Sequence, residues 1–131
     1  MAVQRETFRK YERLCSKKAI DSLFESGISI FCHPFQIIWN YSTERSASPA
    51  RMAVSVSKKL FKTAVARNLI KRRIREAYRR NKHILYNFLE SENIRIVFMI
   101  IYKHNETESY QQIEKSVMQG IQKLIHSVKF Q

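Results

Sequence analysis

One stretch constrains the fold more than any other. Residues 94–102 read Ile-Arg-Ile-Val-Phe-Met-Ile-Ile-Tyr, nine positions with a single charge. The run is too short to cross a bilayer as a helix. It is also too continuous for a strand with one wet face, which would alternate apolar and polar residues. It therefore predicts a central strand covered on both faces. A chain of 131 residues can supply that cover only with its own helices, so the expected architecture is α+β, a small sheet packed by helices.

The other elements follow from period and punctuation. Ser16 can cap a short helix whose apolar positions are Ile20, Leu23 and Phe24, with Gly27 as its stop. Phe35, Ile37, Trp39 and Tyr41 alternate with Gln36, Ile38 and Asn40, a strand that places Trp39 in the core. Ser42 to Pro49 is a polar turn. A second strand runs from about Met52 to Ser57, with Met52, Val54 and Val56 opposite Ala53, Ser55 and Ser57. From Ala64 to Lys82 the period changes to 3.6, and Ala66, Ile70, Ile74 and Ala77 form one seam. Ile113, Val117, Ile121, Leu124 and Val128 mark a C-terminal amphipathic helix starting near Asn105 or Thr107. The order is α-β-β-α-β-α in one domain over residues 1–131, with 1–13 as a loose tail.

Charge supplies the functional signal. The chain holds 24 Lys and Arg against 11 Asp and Glu, a net +13. Between Lys58 and Lys82 there are 11 basic residues and one acid, Glu76, so this window alone carries +10. Charge this localised reads as a surface for a polyanion. On the helix, Arg67, Lys71, Arg75 and Arg79 recur at i, i+4, beside Asn68 and Arg72. Like charges at that spacing destabilise an isolated helix, and phosphates relieve them. RNA and DNA both fit this pattern. An anionic membrane fits poorly, because the seam has two alanines and no Trp or Phe.

Catalysis by side chains is not expected. His33, His83, His104 and His126 are scattered, and acids pair only as Glu90/Glu92 and Glu106/Glu108. Cys15 and Cys32 form no CxxC, so neither a metal site with His33 nor a disulfide is predicted. No metal or cofactor is assigned to the chain. Residues 1–10 lack the apolar core of a signal peptide, so a cytoplasmic place is expected.

The basic helix also carries a resemblance. Ala64-Val65-Ala66-Arg67-Asn68-Leu69-Ile70-Lys71-Arg72-Arg73-Ile74-Arg75-Glu76-Ala77 resembles the signature helix of the bacterial ribonuclease P protein subunit, whose pattern is close to R-N-R-[IV]-K-R-x-[IL]-R-[EQ]-[AS]. Val54-Ser55-Val56-Ser57-Lys58-Lys59 is similar to the strand end that precedes it in that family. Leu14, Ile20, Phe24 and Gly27 fall on a third family pattern upstream. There are two departures: Leu69 stands for the second Arg of R-N-R, and Ile20 for the first aromatic of a cleft.

The resemblance implies a left-handed β-α-β crossover and membership of a ribonucleoprotein whose RNA binds Mg²⁺ and cuts the 5′ leader from precursor tRNA. It implies two surfaces. Arg67, Asn68, Lys71, Arg72 and Arg75 would meet the catalytic RNA. Ile20, Phe24, Ile38, Ser55, Ser57, Lys59, Lys71 and Arg75 would line a cleft for the single-stranded leader. The implied partners are the ribonuclease P RNA and precursor tRNA, with no membrane and no protein homo-oligomer required. Another small basic RNA-binding protein, such as a ribosomal protein, is the alternative.

Overall fold

The structure is a computed structural model that describes residues 8–43 and 48–131. Helix α1 spans Lys17–Ser26, β1 Ile28–Cys32, β2 Phe35–Tyr41, β3 Ala50–Val56, α2 Ala64–Ser91, β4 Ile96–Tyr102 and α3 Tyr110–Lys129. The sheet order is β1-β2-β4-β3. β1 and β4 both run antiparallel to β2, while β3 and β4 are parallel and joined through α2. The apolar run is indeed the buried centre: Ile96, Phe98, Met99, Ile100, Ile101 and Tyr102 are all buried.

Strand alternation gives the sheet two unlike faces. Phe35, Ile37, Trp39, Ala50, Met52, Val56, Phe98 and Ile100 turn to one side. There they meet Ile70, Ile74, Tyr78 and Leu85 of α2 and Ile113, Val117 and Leu124 of α3 in the main core. Trp39 is fully buried and donates its indole N–H to Ser127 Oγ at 2.8 Å. On the other side a smaller cluster of Leu14, Leu23, Ile38, Met99 and Ile101 lies under α1. Helix α1 alone cannot cover a four-stranded sheet, so part of this face stays open.

Local chemistry sets the ends. Ser16 Oγ accepts from Ala19 N–H at 3.3 Å, Thr63 Oγ1 from Ala66 N–H at 3.2 Å, and Ser109 Oγ from Gln112 N–H at 3.2 Å. Gly27 closes α1, its N–H reaching Leu23 O. A Cβ there would run into the Ile38 side chain and the Leu23 carbonyl.

The structure departs from the sequence reading in four places. A fourth strand, β1, sits on the sheet edge, so the order is α-β-β-β-α-β-α. Helix α2 continues past Lys82 to Ser91, because Leu85 and Leu89 extend the buried stripe. Helix α3 starts at Tyr110, capped by Ser109 rather than Asn105 or Thr107. Residues 8–13 are not loose. Lys10–Glu12 form a 3₁₀ turn, Arg13 bridges Met52 on the outer edge of β3, and Leu14 N–H donates to Met52 O at 3.0 Å. Glu12 is buried, paired with Lys82 and accepting from Tyr86 Oη at 2.8 Å.

Candidate nucleic-acid interface

Packing sorts the cations of α2. With Ile70, Ile74, Ala77 and Tyr78 buried, Asn68, Arg72 and Arg75 point outward and are exposed, and Lys71 is half-buried at the margin. Three neighbours have other duties. Lys82 is buried against Glu12. Arg73 leaves the arc on the α3 side and donates to Glu108 O at 2.6 Å. Arg79 pairs with Glu76.

Arg67 is the instructive case. Seven residues before Ile74, it lies two turns along the same stripe, so it does not share the exposed face of Arg72 and Arg75 that its i, i+4 spacing to Lys71 suggests. Its guanidinium turns back on the chain, donating to Phe61 O at 2.8 Å and Lys62 O at 3.1 Å. It thereby holds the loop between β3 and α2.

The N-terminal segment adds a cation that sequence spacing could not assign. Burial first, then the charge of Arg13, lowers the pKa of the Arg75 guanidinium, with Cys15 opposing. Arg13 and Arg75 therefore share one patch beside the edge of β3. Among the described residues neither guanidinium shares an ion pair with an acid, a condition that a phosphate would relieve.

The open half of the α1 face is the second surface. Phe31, Gln36, Ile101 and Ser55 form one row across β1, β2, β4 and β3. The next row, Ser29, Ile38, Met99 and Ala53, lies under α1. On α1, Leu23 points down and is 2% exposed. Ile20 is half-buried beside it, and Phe24, a helical step further round, is 58% exposed. Phe24 is thus not a core residue. Phe31 is 66% exposed and was missed by the sequence reading because β1 was missed. Ser55 and Ser57 are half-buried, Ser57 Oγ accepts from Lys59 N–H at 3.1 Å, and the Lys59 side chain is exposed. A hollow of about 280 Å³ flanks α1 on its other side, lined by Lys18, Ser22, Asn40, Tyr41 and Arg51 among others. None of the eight expected cleft residues lines it.

Cys15 is exposed and Cys32 buried, both as free thiols. Burial raises the Cys32 pKa, with Lys123 opposing, and its thiol turns to Ser116 O at 3.6 Å. The described residues that could together ligate an ion are His33, His104 and Glu108.

The chain matches a known family over most of its length. The ribonuclease P family model covers residues 8–125. The chain belongs to the ribonuclease P protein family. This family is the protein component of a tRNA 5′-processing endoribonuclease whose catalysis resides in RNA, so its partner is the ribonuclease P RNA. The chain is 33% identical over 121 residues to the ribonuclease P protein component of Porphyromonas gingivalis, covering 91% of this chain and 87% of that one. It is 36% identical over 122 residues to that of Petrotoga mobilis, covering 91% and 96%. Among solved structures, the ribonuclease P protein of Thermotoga maritima superposes with a TM-score of 0.69 at 20% identity, over 86% of this chain and 96% of that one. The Staphylococcus aureus protein gives 0.63 at 24% identity, over 86% and 94%. These two likenesses show the shared fold. No helix among the described residues is long and apolar enough to cross a membrane.

Proposed function

We propose that this subunit divides its two surfaces between two RNAs. The α2 arc of Asn68, Lys71, Arg72 and Arg75, with Arg13 beside it, docks on the ribonuclease P RNA. The open α1 face receives the single-stranded 5′ leader of precursor tRNA. One observation carries the second assignment. Phe24 is exposed on the flank of α1 that overlooks the row from Phe31 to Ser55. Aromatic faces beside cations bind single strands, because stacking tolerates any base and cations follow the backbone. On this reading Mg²⁺ for cleavage is held by the RNA, the particle works in the cytoplasm, and one protein copy suffices.

The test is Phe24→Ala in the reconstituted complex. A stacked base is worth roughly 1–3 kcal/mol, so precursor affinity should fall about five- to a hundredfold while mature tRNA affinity holds. Because the ring is exposed, stability should move by only about 0.5 kcal/mol. Lys18→Ala, on the opposite flank of α1, should leave precursor affinity within about threefold. Equal losses for both RNAs in Phe24→Ala would remove the leader from this face.

A further inference from the structure

Two chain reversals meet where β2 begins and β4 ends. His33 stands in the turn between β1 and β2, and His104 and Glu108 lie in the loop from β4 to α3. Lys103 N–H ties the two by donating to Pro34 O at 2.8 Å. One ligand atom from each of His33, His104 and Glu108 falls within 4.8 Å of the others. His104 Nε2 is 3.4 Å from Glu108 Oε1 and 3.8 Å from Glu106 Oε2. A tetrahedral ion with N and O ligands at about 2.0–2.1 Å needs neighbouring donors roughly 3.3–3.4 Å apart. The His104–Glu108 pair already has that spacing. The His33 ring nitrogen lies within 4.8 Å of both.

The carboxylate is placed from beneath. Tyr102, fully buried, donates its hydroxyl to Glu106 O at 2.7 Å and accepts from Glu108 N–H at 3.2 Å. Arg73 of α2 grips Glu108 O at 2.6 Å. The loop that carries two acids is therefore fastened to β4 and α2 through its backbone, leaving both carboxylates to face His104. An imidazolium ion pair would explain His104 with its acids. The second imidazole, His33, packs edge-on against His104 with ring centroids 5.2 Å apart and planes at 69°, which sets it beside the same carboxylate. Two imidazoles and a carboxylate converging on one point suit a shared cation.

We propose that His33, His104 and Glu108 form a site for a zinc-class transition metal, with Glu106 or water as the fourth ligand. Imidazole favours zinc, nickel or cobalt over the all-oxygen ions Mg²⁺ and Ca²⁺. Two histidines and one carboxylate form a donor set of the open zinc type. The ion would clamp the β1–β2 turn to the β4–α3 loop, and its solvent-side position could accept an oxygen ligand.

The experiment titrates the full-length metal-free protein with Zn²⁺ against a chromophoric chelator, then records Co²⁺ spectra. One equivalent should bind. His104→Ala and His33→Ala should each weaken it by more than the tenfold to hundredfold typical of losing an outer-shell partner. Glu108→Gln should weaken it by at least about tenfold. His126→Ala and Cys15→Ser should leave it unchanged. The Co²⁺ protein should show tetrahedral d–d bands without thiolate charge transfer. Metal-free melting of His33→Ala, an exposed position, separates lost binding from lost folding: the melt should match wild type, with the zinc-induced rise gone. Failure of wild type to compete with the chelator overturns the site. So does binding that survives both histidine variants, or a cysteine charge-transfer band.

Discussion

Arg67 shows how fold and function compete for one guanidinium. The family pattern makes it an RNA contact, yet the structure has two of its N–H groups on Phe61 O and Lys62 O. Lys71, one turn on, has no such tie among the described residues and projects from the margin of the seam. The two should separate in experiment. Arg67→Ala should lose about 1 kcal/mol of stability by urea denaturation, the scale of a hydrogen bond to a charged donor at a part-exposed site. Lys71→Ala should stay within about 0.5 kcal/mol. Lys71→Ala should also weaken binding to the ribonuclease P RNA and flatten the plot of log affinity against log salt by about one contact's worth, whereas Arg67→Ala, its guanidinium committed to the loop, should leave that slope unchanged. An unchanged slope for Lys71→Ala would mean that the arc faces something other than phosphate. The cations were legible as a group. Which of them fold the protein was not, because that depends on Glu12 and Glu108, distant in sequence from Lys82 and Arg73, and on the loop path that brings the nearby Phe61 carbonyl back to Arg67. His33 and His104 escaped for the same reason: only the sheet brings the two reversals together.

Among the elements, α2 has two unlike halves. Its first half presents charge. Its second half is anchored by a buried polar group in which Lys82 pairs with Glu12, Tyr86 donates to Glu12, and Tyr78 Oη donates to Tyr86 Oη at 3.3 Å. Burial, foremost, raises the pKa of both tyrosines above the ordinary value near 10. In the unfolded chain each ionises near pH 10, so above that pH the unfolded state holds fewer protons than the native state. The stability of this group is therefore whole below pH 10 and declines as pH rises beyond it, by up to about 1.4 kcal/mol per pH unit per tyrosine. Denaturant midpoints measured from pH 8 to 11 should fall in the upper part of that range. Tyr86→Phe should start lower, through the lost bond to Glu12, and then fall less steeply. Equal slopes would place the alkaline loss elsewhere. The seam from Ala66 to Ala77 and the buried run of β4 could be read from period alone, since their patterns are long. β1 could not: Ile28 to Cys32 is five residues, and its outward Phe31 blurs the alternation.

At the scale of the molecule, the sheet separates stability from recognition. The face under α2 and α3 is closed by large buried side chains, and the face under α1 is left partly open beside cations. His83 and His126 are carried on α2 and α3 respectively, and Glu90 stands near the end of α2 with Glu92 at its cap. None of these four shares a described ion pair or ligand cluster with another. His33, His104, Glu106 and Glu108 do converge, but at the sheet end beyond β4, tied to the backbone by Tyr102 and Arg73 rather than set beside Phe24. A general acid–base pair would need to reach the scissile phosphate within hydrogen-bond distance. On the open α1 face proposed for the leader, the side chains of Ile20, Phe24, Phe31, Ser55 and Ser57 include no titratable acid or base of that kind, and Ile38 is buried under α1 rather than lining that face. Neutral replacement of each histidine, and of Glu90, Glu92, Glu106 and Glu108, should thus leave single-turnover cleavage within about threefold when protein and Mg²⁺ saturate the RNA. Effects should be confined to the protein concentration needed to reach that rate. A loss of a hundredfold or more in the chemical step, in a variant whose melting is intact, would move part of the chemistry from the RNA into this chain.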